Sequence, residues 1–250
     1  MARDGDARGG PRDREARAGG AKDGAAHDGR KDGAKEGSEN PLDQHLVEQA
    51  YARWAPVYDV VFGAVFALGR AAAIQAAERV GGRILEVGVG TGISLPDYAR
   101  KNRLVGVDIC EPMLRKAKER VDTQGLSHVE MLARMDGTRL AFADASFDVV
   151  VAQFVITTVP DPEKTLDEFA RVVRPGGEIV LVNHFATEAG PLRTLERGFA
   201  PLARKLGWRP EFPFRRLADW STRAGVPLLE RRQTPPLGLF SLLRFAKAAA

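Results

Sequence analysis

The stretch Arg83-Ile84-Leu85-Glu86-Val87-Gly88-Val89-Gly90-Thr91-Gly92-Ile93-Ser94 decides the fold. Its first five residues form a short apolar run, of the kind that suits a strand buried on both faces of a parallel sheet. Three glycines at alternate positions follow, and the chain then enters a helix. Glycines there permit a tight turn and let backbone N–H groups come close to a ligand. The dinucleotide fingerprint Gly-x-Gly-x-x-Gly would need glycine where Ile93 stands. The pattern present is Glu-x-Gly-x-Gly-x-Gly, with an acid inside an otherwise apolar strand.

Working outward, comparable runs rich in Val, Ile and Leu recur at Arg103–Asp108, near Val129–Ala133, at Phe147–Ala152 and at Glu178–Asn183. Helical patterns lie between them at Pro112–Val121 and Pro162–Val173, the second opening on Pro and closing on Arg-Pro-Gly-Gly. This alternation predicts an α/β, doubly wound, mostly parallel sheet. After Asn183 the rhythm changes. A basic, aromatic segment over 186–226 leads to two more strand candidates, Leu228–Gln233 and Phe240–Ala246, which a short turn joins into an antiparallel hairpin at one edge. The apolar Val57–Leu68 stretch reads as a core helix. At the other end, residues 2–40 contain no Leu, Ile, Val, Phe, Tyr or Trp. Such a segment cannot offset the entropy of ordering and is expected to be a disordered tail, with the globular part at 41–250.

Asp108 ends the second strand, where a carboxylate can accept from both hydroxyls of a ribose. The Met135-Asp136-Gly137 loop follows the third strand, and Asp136 can receive an adenine amino group while Met135 and Ile109 sandwich the ring. Simpler roles exist for both acids, Asp108 as a helix cap and Asp136 as a turn former. Cys110 reads as a passive small residue, and His45 and His128 as surface residues. One cysteine excludes a disulfide framework, and no His/Asp/Glu spacing suggests a metal site.

With these residues in view, the chain resembles the class I S-adenosylmethionine-dependent methyltransferases over most of 45–250. The resemblance implies a seven-stranded Rossmann-like sheet ending in an antiparallel strand, and S-adenosylmethionine as cofactor. It implies that Gly88, Gly90, Thr91 and Gly92 pass beneath the methionine part and that Glu86 supports the loop or a water near the cofactor's amino group. Asp108 would take the ribose, and Ile109, Met113, Met135, Asp136 and Gly137 would surround the adenine. Tyr58, Gln153 and Phe154 complete the implied cofactor set.

A closer resemblance rests on Tyr51-Ala-Arg-Trp54-Ala-Pro-Val-Tyr58-Asp59, on Gln153-Phe-Val-Ile-Thr-Thr-Val-Pro160, on Arg174-Pro-Gly-Gly through His184-Phe185, and on the aromatic segments Gly207–Phe214 and Pro235–Phe245. These are similar to the soluble bacterial phosphatidylethanolamine N-methyltransferases, implying stepwise methylation of a phospholipid headgroup amine. Such an amine must lose protons, and Tyr51, Tyr58 and His184 are the candidate catalytic residues. The charge distribution has a place in this picture. The net +4 is carried by the C-terminal quarter, where residues 185–250 hold twelve basic and five acidic side chains. Their interleaving with aromatic and aliphatic residues points to an anionic membrane surface, bound peripherally from the cytoplasm, rather than to nucleic acid. Ring-carbon methylation of a lipid quinone precursor and a silent cofactor-binding module are the alternatives.

Overall fold

The computed structural model describes residues 58–185, 212–235 and 238–249, with the main chain alone over 58–65. The expected tail, Tyr51 and most of the basic segment lie outside these residues.

Helix α1 (Tyr58–Val80) precedes strand β1 (Arg83–Val87), and β2 (Arg103–Asp108), α2 (Glu111–Thr123) and β3 (Val129–Arg134) follow. The chain then returns through β4 (Phe147–Gln153), α3 (Pro162–Val172) and β5 (Val173–Asn183), and closes with α4 (Arg215–Ala224), β6 (Leu228–Thr234) and β7 (Phe240–Ala246). The seven-stranded sheet has the order β3-β2-β1-β4-β5-β7-β6. Its first five strands pair in parallel, and β7 lies antiparallel between β5 and β6. The α/β doubly wound fold and its late hairpin are as the sequence predicts.

Alternating residues of each strand feed two apolar layers. Ile179 and Leu181 of β5 join Leu85, Val87, Leu166, Phe169, Leu217 and Trp220 on the face covered by α3 and α4. Val180 and Val182 join Ile84, Phe66, Ile74 and Leu114 on the face covered by α1 and α2. Burial on both faces explains why these strands read as unbroken apolar runs.

The helix expected after the glycine turn is only the short 3-10 turn Leu95–Asp97. Three further features differ from the sequence reading or extend it. Helix α1 continues twelve residues past Leu68, through an alanine-rich stretch of high helix propensity, and stops at Gly81 with φ +66°. Strand β5 begins at Val173, because Phe147 pairs with Val173 before the register shifts to Val149 and Glu178; the Arg174-Pro-Gly-Gly stop signal is thus absorbed into a bulge. Helix α4 has no counterpart among the predicted elements and belongs to the scaffold. Trp220 is buried and donates to Asp167 at 2.7 Å, and Arg216 holds Glu163 through Nε and Nη2, locking α4 to α3. The spacing of the apolar Leu217 and Trp220, with Gly225 left-handed just beyond, was the available signal.

The order reverses between β1 and β4. Successive strands move outward from β1 to β3, then cross back to the other side, so the connections leaving β1 and β4 diverge. A crevice opens there at the carboxyl edge, the usual ligand position in such sheets.

Candidate active site

The glycine loop leaves β1 at this crevice. Gly88, Gly90 and Gly92 have φ of +75°, +56° and +70°, a conformation unfavourable to other residues. Their surroundings differ. A Cβ on Gly88 would lie 2.1 Å from Val155 Cγ2, and one on Gly92 would meet Leu95 and the Ala117 backbone, whereas Gly90 faces open space. Gly88 and Gly90 therefore border the cavity, while Gly92 seats the loop against α2.

Asp108, at the end of β2, closes the loop from the neighbouring strand. Its Oδ2 accepts from Gly90 N and its Oδ1 from Cys110 N, each at 2.8 Å. Burial raises its pKa and the backbone hydrogen bonds oppose that rise. Asp108 thus shapes the turn that leads into α2, whose N-cap is Cys110 and carries no side-chain cap, and it also borders the cavity.

Glu86 is buried beneath the loop. Ser94 Oγ donates to its Oε1 at 2.5 Å, and Oε2 has no partner among the described residues. Burial pushes its pKa up to about 7, against the lowering effects of Ser94, Tyr98 and the Arg70 charge. Asp136 borders the cavity and also shapes its turn, accepting at Oδ1 from the N–H and hydroxyl of Thr138. Thr91, Ile109, Met113, Met135, Gly137, Gln153 and Phe154 line the same cavity. Phe154 stands out because it is a bulky residue with φ +62°, held by donation from its N–H to Val182 O at 2.7 Å. Its ring packs on Phe66 and Phe240, and Gly69 of α1 leaves the space it occupies.

His184 lies just past β5, outside this cavity lining. Its Nδ1 stands 2.7 Å from Leu239 O. A carbonyl only accepts, so Nδ1 carries a proton. Tyr58 begins α1 with its side chain outside the described residues. Val155, Thr158 and Pro160, from the Gln153–Pro160 run, line the cavity, as do Phe66 and Arg70 of α1, which the sequence did not single out. Phe66 and Arg70 belong to no local motif, although placing them one turn apart on a core helix was a usable hint. His128 is corrected: it is buried rather than superficial, with Nε2 3.1 Å from Leu95 O. Cys110 is buried at the N-cap of α2. Among the described residues no cluster of His, Cys, Asp and Glu could hold a metal, and no helix is long and apolar enough to cross a membrane.

Comparison with known proteins fits this geometry. A methyltransferase-domain family model matches residues 85–181. Over 206 residues the chain is 42% identical to a phosphatidylethanolamine N-methyltransferase of Cereibacter sphaeroides, covering 82% of this chain and all of that protein. The chain belongs to the phosphatidylethanolamine N-methyltransferase family. Its cofactor is S-adenosylmethionine. A demethylmenaquinone methyltransferase of Renibacterium salmoninarum is 36% identical over 56% of this chain and 60% of its own length. Two solved structures share the fold. A Haemonchus contortus phosphoethanolamine N-methyltransferase 2 has a TM-score of 0.65 at 17% identity, over 84% of this chain and 60% of that one. A methyltransferase from Thermotoga maritima scores 0.61 at 22% identity, over 80% and 99%.

For this member of the phosphatidylethanolamine N-methyltransferase family, the three glycines should separate stability from ligand binding. Gly90→Ala is expected to cost only the left-handed strain, roughly 1–2 kcal/mol, while weakening S-adenosylhomocysteine binding more than about tenfold by filling cavity space. Gly88→Ala and Gly92→Ala should each lose about 3 kcal/mol or more, because strain and overpacking add. Thermal melts paired with calorimetric titrations check this; equal destabilisation by all three contradicts it.

Proposed function

We propose that this chain transfers methyl groups from S-adenosylmethionine to the headgroup amine of phosphatidylethanolamine, stepwise through the monomethyl and dimethyl lipids to phosphatidylcholine. It does so as a cytoplasmic protein held peripherally on the inner face of the membrane. The observation that carries this reading is the 42% identity spanning the whole of a phosphatidylethanolamine N-methyltransferase.

The residues at the switch point fit the cofactor. Gly90 leaves the main chain bare for close approach, and Gly88 borders the same cavity. Glu86, with its open Oε2, suits the cationic amino group, and Asp108 suits the ribose hydroxyls. Met135, Ile109, Met113 and Gly137 offer adenine an apolar slot, and Asp136 a hydrogen-bond acceptor. When bound, this cofactor supplies a methyl on a sulfonium: the amine lone pair forms the N–C bond while the C–S pair stays on sulfur, giving the neutral thioether. Positioning of the amine supplies most of the acceleration, so the walls formed by Gln153, Phe154 and Phe66 matter as much as any base. The nitrogen must still shed a proton per transfer. Tyr51, Tyr58 and His184 are the proposed acceptors, with His184 held by its Nδ1 bond to Leu239 O.

The excess of basic residues after position 184 suits anionic lipid, each contributing roughly 1 kcal/mol near the surface. Arg215, Arg223, Arg231 and Arg232 are exposed. The full chain is expected to pellet with vesicles containing anionic lipid and to stay in solution with neutral ones at low salt. Equal behaviour with both removes the electrostatic part of the reading. The enzymatic part is tested by mass analysis of lipids from a host lacking phosphatidylcholine that expresses this chain. A cofactor-loaded preparation that methylates no phosphatidylethanolamine overturns it. Running a demethylated quinone precursor alongside tests the second reading, which is supported by relatives matched over only about half of this chain.

A further inference from the structure

Gln153 ends β4 at the switch point and is 8% exposed. Its Nε2 donates to the Tyr98 hydroxyl oxygen at 3.4 Å. Tyr98 is itself buried. With its amide nitrogen on the Tyr98 hydroxyl, Gln153 has its Oε1 on the other side of the amide. That Oε1 is buried and has no partner among the described residues, while the side chain borders the cavity. A buried carbonyl oxygen lacking a donor costs roughly 1–3 kcal/mol, and such an atom at a cavity wall calls for a ligand donor.

The cofactor's ammonium is better served by Glu86, whose own Oε2 is open and which carries charge when ionised. Gln153 borders the cavity together with Phe154 and Phe66, whose packed rings give that cavity an aromatic wall. Such a wall suits an alkylated amine.

We propose that Gln153 Oε1 accepts a hydrogen bond from an N–H of the headgroup nitrogen, aligning its lone pair for transfer and favouring the first two methylations over the third. This deepens, and rests on, the phosphatidylethanolamine reading. In the first transfer the neutral primary amine uses its lone pair for the new N–C bond and keeps two N–H groups, one of which points at Oε1. One proton then leaves to the proton acceptor. The neutral monomethyl amine keeps one N–H during attack, whereas the neutral dimethyl amine has none, so Oε1 contributes nothing to the third transition state.

The test uses the full chain with vesicles carrying phosphatidylethanolamine, its monomethyl derivative or its dimethyl derivative. Gln153→Met keeps the side chain's length and removes the acceptor. Its kcat/KM is expected to fall roughly ten- to hundredfold on the first two lipids and to stay within about twofold on the third. S-adenosylhomocysteine affinity, measured by calorimetry, should be nearly unchanged. Gln153→Glu, whose protonated carboxyl donates to Tyr98 and leaves a carbonyl oxygen in place, should restore the preference for the first two lipids; the ratio among the three is readable in either variant that folds. Equal losses on all three lipids overturn the proposal, and if cofactor affinity falls with them Gln153 belongs to the cofactor. No turnover on any lipid by the unaltered chain, with cofactor binding intact, overturns the phosphatidylethanolamine reading itself and this inference with it.

Discussion

Asp108→Ala is expected to weaken S-adenosylhomocysteine binding by about a hundredfold or more and to abolish measurable methyl transfer. The reason lies in what the carboxylate does in the folded chain. It already accepts from Gly90 N and Cys110 N, so it fixes the glycine loop relative to β2 before any ligand arrives. It also offers its remaining lone pairs to the cavity. Hydrogen bonds to charged groups are worth about 1.5–3 kcal/mol each, and losing two such contacts to a ribose gives the stated factor. Asp108→Asn should be nearly as damaging, because its amide nitrogen would face either Gly90 N–H or Cys110 N–H as a second donor. The fold should survive both changes. Burial already holds the carboxylate's pKa up, so removing it relieves a desolvation cost that offsets the lost backbone contacts. Calorimetric titration with S-adenosylhomocysteine checks the affinity and thermal melts check the fold. Binding within about threefold of the unaltered protein, well short of a one-kcal/mol change, would show that Asp108 serves the turn alone.

The second large effect concerns pH. Glu86 has its pKa pushed up to about 7 in the fold, from an ordinary value of 4.5. The unfolded chain therefore ionises this group at lower pH than the folded chain does. The associated stability is fully present below pH 4.5 and is lost as pH rises toward about 7, with no further change above. That difference corresponds to roughly 3 kcal/mol at its limit. Cofactor binding runs the other way, since a cationic amino group beside Oε2 favours the ionised carboxylate. S-adenosylhomocysteine affinity should thus fall by up to about tenfold per pH unit below 7, with proton release on binding. Glu86→Gln should flatten the stability profile between pH 5 and 8 and lose most of the affinity at pH 8, an exchange of function for stability. Chemical denaturation and calorimetry in buffers of different ionisation enthalpy supply the measurements. Proton release that is the same in the Gln variant as in the unaltered chain would sink the assignment.

The fold was legible because its signals are local. The strand runs, the glycine turn and the Pro-bounded helix α3 each depend on neighbours in sequence, and apart from the earlier start of β5 each lies within a residue or two of where it was read. Helix α4 escaped because its face is weakly apolar, and its place depends on Trp220 reaching Asp167 and Arg216 reaching Glu163 in another element. The site shows the same division. Glu86, Gly88, Gly90, Asp108 and Asp136 come from segments that a periodic reading places at one sheet edge. Phe66 and Arg70 reach that edge from α1, which covers the sheet after long-range packing. His184 is near the same edge but turns to Leu239 of a later segment, a pairing no local pattern announces.

By itself the sequence determined that a doubly wound sheet would form, that its first loop would leave the main chain bare, and that acids would stand at the ends of adjacent strands. These follow from apolar period, glycine's backbone freedom and strand length. Only the tertiary structure decided which polar atoms are satisfied. Whether Glu86 holds its proton, whether Asp108 ties the glycine loop as well as faces the cavity, and whether the amide oxygen of Gln153 is left open depend on burial and on donors brought in from distant segments. Desolvation and hydrogen-bond pairing are properties of a side chain's neighbours in space, and those neighbours exist only once the chain has folded.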